Sequence, residues 1–144
     1  MKEVNAMARD TFRKNVEGQI ALLKDGKPLE AFDRFFAADG VMFANGEVFA
    51  HGAAEGRKKQ EPYINAAETV TGNIVDLIVS EETEVCAFRN RTSFVTSCGK
   101  KHQIDGVCWQ FWRDGMIAEE RYFDGESMQQ MLHRGILTSP ERLI

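Results

Sequence analysis

The sequence predicts an α+β fold in which N-terminal helices pack on a strongly curved, mostly antiparallel β-sheet. Three observations carry this. Two amphipathic helical stretches come first, an Asn-Gly hairpin follows, and four stretches of alternating β-branched and aromatic residues, joined by short turns, fill the C-terminal half. The chain has 144 residues, 43% of them apolar and 28% charged. That balance supports one domain over residues 1–144 with one core, and excludes a disordered chain.

From Val4 to Lys24, the residues Met7, Ala8, Phe12, Val16, Ile20 and Leu23 recur at three-to-four spacing, the stripe of a long helix that Asp25-Gly26 ends. Pro28 suits the first turn of a second helix, which carries Leu29, Phe32, Phe35 and Phe36 on one side and is expected to stop at Asp39-Gly40. Val41–Ala44 and Val48–Ala50 flank Asn45-Gly46, the dipeptide of a tight hairpin turn. A third helix is expected from Gly52 to Ala67, broken near Pro62. Four strands then follow, Val70–Ser80, Glu84–Ser97, Lys101–Arg113 and Met116–Asp124, with turns at Glu81-Glu82-Thr83, Cys98-Gly99-Lys100 and Asp114-Gly115. Connections this short require antiparallel neighbours. Glu126–Arg134 reads as a short closing helix before a tail interrupted by Pro140. Apolar groups of both parities on the last strands, Phe88 and Phe94 against Val85 and Val95, give the sheet a second apolar face. Such a face needs cover, which predicts a homodimer through the sheet.

Composition narrows the function. The formal charge is -4 and the basic runs Arg57-Lys58-Lys59 and Lys100-Lys101-His102 are short, which argues against nucleic acid as a partner. No apolar run approaches a membrane span, and the N-terminus carries Lys2, Glu3, Arg9 and Asp10, so no membrane contact and a cytoplasmic location are expected. Cys86, Cys98 and Cys108 are odd in number and lack Cys-x-x-Cys spacing. They read as reduced side chains rather than as a disulfide framework or zinc site. His51, His102 and His133 share no ligand spacing, so no metal is expected; without phosphate-loop or dinucleotide signatures no organic cofactor is expected, and without Gly-x-Ser-x-Gly no serine nucleophile.

Phe35-Phe36-Ala37-Ala38-Asp39 before a strand, with Trp112-Arg113-Asp114-Gly115-Met116-Ile117 leading into Glu120-Arg121-Tyr122-Phe123-Asp124, resembles the superfamily of nuclear transport factor 2, ketosteroid isomerase and the SnoaL-like polyketide cyclases. The resemblance spans nearly the whole chain. It implies a cystatin-like cone with an internal pocket, reused in that superfamily for isomerases, dehydratases, cyclases, epoxide hydrolases and binders that catalyse nothing. Where the limonene epoxide hydrolases carry an Arg-x-Asp and a second Asp, the matching positions are Arg89-Asn90-Arg91 and Arg121, so that mechanism is absent. Their water-holding Tyr and Asn fall on Phe43 and Asn45. The two acids of ketosteroid isomerase, near Asn45 and Val107, are also missing.

If strand parity follows the resemblance, Arg89, Arg91 and Arg121 point into the cone with Asp105, Glu119, Trp109, Phe111 and Phe123. Three arginines held there need carboxylates, water or an anionic ligand, which implies binding of an acidic or carbonyl-bearing aromatic compound. The alternative puts these arginines on the outer sheet face, paired with Glu119, Glu120 or Glu84. Asp105 with His102 is an acid–base candidate only if a bulge brings both to one side, and a bulge at Gly106 would reverse the facing of Asp105 relative to Trp109. Tyr63, on the third helix, supplies a hydroxyl able to polarise a carbonyl. The resulting expectation is a pocket for a small-molecule ligand that performs acid–base chemistry, with Asp105, Glu119, Tyr63 and His102 moving protons. A dimeric binding module without catalysis is the rival.

Overall fold

A computed structural model describes residues 2–143 of the chain, with side chains described for 10–142. Helix α1 spans Lys2–Lys24 and buries Phe12, Val16 and Ile20 at the expected spacing, while Met7 and Ala8 lie outside the described side chains. It ends in a Schellman turn, with Lys27 N–H donating to the Leu22 carbonyl and Gly26 N–H to that of Leu23. Gly26 has φ +77°, and a side chain there would strike the Val70 carbonyl.

Helix α2, Pro28–Phe35, stops four residues earlier than its apolar spacing suggests, because Phe36 already pairs with the last strand as the first residue of β1, Phe36–Ala44. Phe36 nevertheless keeps the partner that helical spacing gives it, stacking on Phe32 with ring centroids 4.6 Å apart. The hairpin to β2, Glu47–His51, turns through Asn45 and Gly46 with both φ positive, as a two-residue turn matching the strand twist requires. Helix α3, Ala53–Asn65, runs unbroken through Pro62. The proline lies in the last turn, where one missing N–H is the main loss, and Ala66 N–H donates to the Pro62 carbonyl just beyond it.

Three of the four expected strands are each creased into two. The first becomes β3, Ala67–Thr71, and β4, Ile74–Ser80; the second β5, Val85–Asn90, and β6, Ser93–Thr96; the third β7, Lys101–Gln103, and β8, Gly106–Arg113. The fourth, β9, is Met116–Asp124 as expected. The halves separate into a six-stranded sheet, β2-β1-β9-β8-β5-β4, and a three-stranded sheet, β3-β6-β7. All described pairings are antiparallel except β1 with β9, which are far apart in sequence and free to run parallel. Gly106 is not a bulge: its pairing with Asn90 and Asp124 is in register, and the Tyr122 ring occupies the space its side chain would need. The irregularity falls instead between Phe111 and Trp112 on β8, where β9 contributes an extra residue, Ala118.

Two cores lie on opposite faces of the large sheet. One joins Phe12, Val16 and Ile20 of α1 and Phe32 and Phe35 of α2 to Cys86, Phe88, Cys108, Trp112 and Ile117 of the strands. The other joins Val85, Ala87, Val107, Trp109 and Phe123 to Met128 and Ile136. Met128 belongs to α4, Gly125–His133, and Ile136 to the tail that closes in a 3-10 turn, Pro140–Leu143. The Trp109 indole N–H donates to the Pro140 carbonyl at 3.0 Å. The second apolar face is therefore covered over these residues by the chain's own C-terminal segment, so the need for a second copy does not arise there. No helix among the described residues is long and apolar enough to cross a membrane.

Candidate functional site

Between α1, α2, α3 and the concave face of the sheets lies a cavity of about 160 Å³, lined by Gln19 of α1, Gln60 and Ile64 of α3, and Phe88, Asn90, Thr92, Cys108, Gln110 and Glu120 of the strand region. It shares Ile64, Phe94 and Ile104 with a wider groove of about 610 Å³, which Tyr63, Thr96, Lys100 and His102 also line. A chamber and a vestibule thus adjoin through one wall. The chamber is close in size to a cavity of ~150 Å³ that holds benzene, so it admits about one ring.

Five side chains meet at the deep end. Gln110, only 1% exposed, takes hydrogen bonds on its Oε1 from the Trp112 indole (3.2 Å), the Cys86 thiol (3.3 Å) and Gln19 Nε2 (2.9 Å). Indole N–H is donor only, so this contact fixes which end of the Gln110 amide is oxygen. Its Nε2 then faces the other way and donates to Gln19 Oε1 (2.6 Å) and Glu120 Oε2 (2.9 Å). Among the described residues, Glu120 Oε1 has no hydrogen-bond partner, and no Lys, Arg or His lines the chamber. Burial raises the Glu120 pKa above the usual carboxylate value, and only the Gln110 hydrogen bond works against it. Burial likewise pushes the Cys86 thiol to about 12 and Cys108 well above its ordinary value, which keeps both protonated.

Asn90 is the second oriented group. Thr92 donates to its Oδ1 through both backbone N–H (3.1 Å) and hydroxyl (2.6 Å), and its Nδ2 makes no hydrogen bond among the described residues. An amide donor is thereby aimed with its oxygen already satisfied. Through the ladder Glu120–Gln110–Cys86, Asn90 sits four residues along and two strands across from Glu120, roughly 13 Å by roughly 10 Å in backbone terms. Inward-leaning side chains shorten that gap without bringing both groups onto one atom.

Comparison with solved structures agrees with this architecture. The chain superposes with TM-score 0.62 on a protein from Mesorhizobium loti provisionally named a SnoaL-like polyketide cyclase, at 22% identity over 80% of this chain and 97% of that one. It matches an NTF2-like protein of unknown function from Burkholderia pseudomallei with TM-score 0.61, at 11% identity over 85% and 95% of the two chains. TerC, co-crystallised with polyporic acid, matches with TM-score 0.60 at 11% identity over 86% and 96%. The chain has the SnoaL-like, nuclear transport factor 2-like fold. No protein-family model matches the sequence, and a search of curated proteins found no relative.

Within this SnoaL-like cone the parity expected for the arginines is off by one residue. Even-numbered side chains of β5 and β8, and Glu120 and Tyr122 of β9, face the helices; the odd-numbered ones face α4 and the tail. Arg89 therefore lies outside, donating through Nε (3.0 Å) and Nη2 (3.1 Å) to Asp105, with Arg91 Nε at 3.4 Å from the same carboxylate. The Arg89 hydrogen bond holds the Asp105 pKa below its ordinary value, so Asp105 is a paired surface carboxylate. Arg121 bonds Glu119 at 2.9 Å and stands 4.0 Å over the Phe43 ring. Trp109 and Phe123 are buried under the tail and α4, and Phe111 packs against them. Asn45 is a turn residue, exchanging hydrogen bonds with the Asp124 side chain and backbone N–H. None of these eight ligand-binding candidates lines the chamber, and neither do Asp105 and Glu119. Tyr63, 81% exposed, and His102 line the vestibule and do not meet the deep carboxylate.

Matching acids to a family pattern does not reach the side chains that do meet there, because the pattern's positions fall on the outer face. One signal was available. Gln19 interrupts the apolar stripe of α1 between Val16 and Ile20, and Gln110 sits within Trp109-Gln110-Phe111-Trp112. Polar amides in apolar surroundings require partners, and these two found each other.

Proposed function

We propose that the chain is a small-molecule pocket protein performing cofactor-independent proton transfer on a hydrophobic carbonyl compound, with Glu120 as acid and base. The observation that carries this is the half-buried Glu120 carboxyl: one oxygen is held by a fully partnered Gln110, the other is free in a chamber without a cation. As carboxylate it takes a proton from carbon; the C–H bond breaks, an O–H bond forms, and the electron pair moves into the carbonyl. Asn90 Nδ2 offers a second, separate amide donor on the chamber wall, placed for a polar substituent elsewhere on the ligand rather than for the same carbonyl. Return of the proton to another carbon completes an isomerisation; its transfer to a β-hydroxyl as the C–O bond breaks releases water and completes a dehydration. TerC's polyporic acid supports an oxygenated ring compound as the class of ligand.

The test is solvent-deuterium incorporation into 2-tetralone, followed by NMR with wild type and Glu120→Gln. Exchange above buffer that the variant loses supports the proposal; exchange that survives in the variant overturns it. Saturable binding without exchange in wild type favours the noncatalytic module instead. Self-association is part of the same reading, now resting on the outer face left beside the tail, where Val41, Phe43 and Phe111 are only partly buried. Light scattering that gives a monomer at all concentrations removes it.

A further inference from the structure

The chamber and the vestibule differ in charge. The chamber ends on one carboxyl and has no cationic side chain in its lining, whereas the vestibule lining contains Lys100 and no acid. The side chains that line both, Ile64, Phe94 and Ile104, are apolar. Lys100 is also placed by the fold. In the β6–β7 turn, Thr96 N–H donates to the Lys100 carbonyl (2.9 Å) and Lys100 N–H to the Thr96 hydroxyl (3.2 Å), with Gly99 supplying the positive φ. Its ammonium has no ion-pair partner among the described residues. Two residues on, His102 lines the same groove and adds a ring nitrogen able to hydrogen bond.

The geometry points to a ligand with one orientation: an apolar ring compound carrying a carboxylate, which enters neutral end first and leaves its carboxylate on Lys100 at the mouth. This rests on the pocket reading above and adds to it the charge of the substrate and the residue that selects it. Reversed entry is opposed because it would bring an anion to the Glu120 carboxyl, where no cation compensates. Lys100 is thus a specificity-determining residue outside the proton-transfer step.

Isothermal titration with biphenyl-4-carboxylate and the neutral biphenyl-4-carboxamide tests this. Wild type should prefer the carboxylate by roughly threefold to fivefold, the range a partly exposed ion pair supplies. Lys100→Met should remove the preference while Lys101→Met, which changes net charge equally, retains it. Raising the salt concentration should shrink the wild-type preference, a readout needing no variant. Equal affinity for both probes, with binding blocked by Ile64→Trp, overturns the orientation and leaves the pocket standing. If neither probe binds, both the orientation and the pocket reading fall.

Discussion

The two faces of the large sheet are built from adjacent residues of the same strands yet belong to different chemistry. On β8, Val107 and Trp109 face α4 and the tail, and on β9 so does Phe123, while Cys108, Gln110 and Tyr122 face the helices. The outer face is closed by hydrocarbon over Val107, Trp109 and Phe123, with its charges paired at the margin: Arg89 with Asp105, Arg121 with Glu119. The inner face keeps a hollow, and two polar groups around it, Glu120 and Asn90, are partnered on one side only. Charge count alone points to the outer face as the site. What separates the two is whether a polar group has been left an unfilled valence toward empty space, as Glu120 Oε1 and Asn90 Nδ2 have.

The sharpest way to break this contrast is to remove one acid from each face. Glu120→Gln should lower deuterium exchange into 2-tetralone by ~10²- to 10⁴-fold, the usual range for a positioned proton-transfer group, and the outer Glu119→Gln should leave it within a factor of about two. Equal losses would erase the distinction. The claim that the tail closes a true second core predicts that Ile136→Ala, at a fully buried site, costs about 2–5 kcal/mol in urea unfolding. A cost near zero would make the tail a mere appendage. Gln110→Ala strands the Trp112 indole and the Gln19 amide, and should cost about 1–3 kcal/mol. Arg89→Ala, whose Asp105 partner is 43% exposed, should cost under about 1 kcal/mol, with the effect fading at high salt.

The same contrast appears in pH dependence, with opposite signs on the two faces. Glu120 has a raised folded-state pKa, so its contribution is full below the unfolded carboxylate pKa and is lost as pH rises through the folded value. Glu120→Gln should therefore raise the melting temperature at pH 8 and give no gain at pH 3.5. Asp105 has a lowered pKa, so its contribution is present above the unfolded value and lost as pH falls through the folded one. Asp105→Asn should lower the melting temperature at pH 8 by a small amount that vanishes in acid. Matching signs for the two variants would contradict the assignment of faces.

Local periodicity makes the element order legible, and it carries no information on the long-range pairings that set the faces. The α1 stripe, the Asn45-Gly46 hairpin and β9 needed only neighbours in sequence. Phe36 left α2 because it pairs with Ile117, some eighty residues away, and a helical pattern carries no trace of that partner. Parity was lost for a related reason. A side-chain alternation defines two faces but not which one meets the helices, and the extra residue at Ala118 reverses the alternation within β9 itself. The cover supplied by Met128 and Ile136 was equally invisible, since an apolar face reads the same whether its own tail or a second molecule lies on it.

The creases at 72–73, 91–92 and 104–105 bend each long ribbon without changing its register: Thr71 opposite Ser93 continues into Ile74 opposite Asn90, and Ser93 opposite Gln103 into Asn90 opposite Gly106. A one-residue insertion at such a crease would exchange which side chains look inward at the entrance, turning Lys101 in and His102 out, while leaving the Gln110–Glu120 pairing undisturbed. Selectivity and reactivity are in this sense separately heritable: descendants of this chain can acquire a new diet by a short indel in the rim without rebuilding the machinery beneath it.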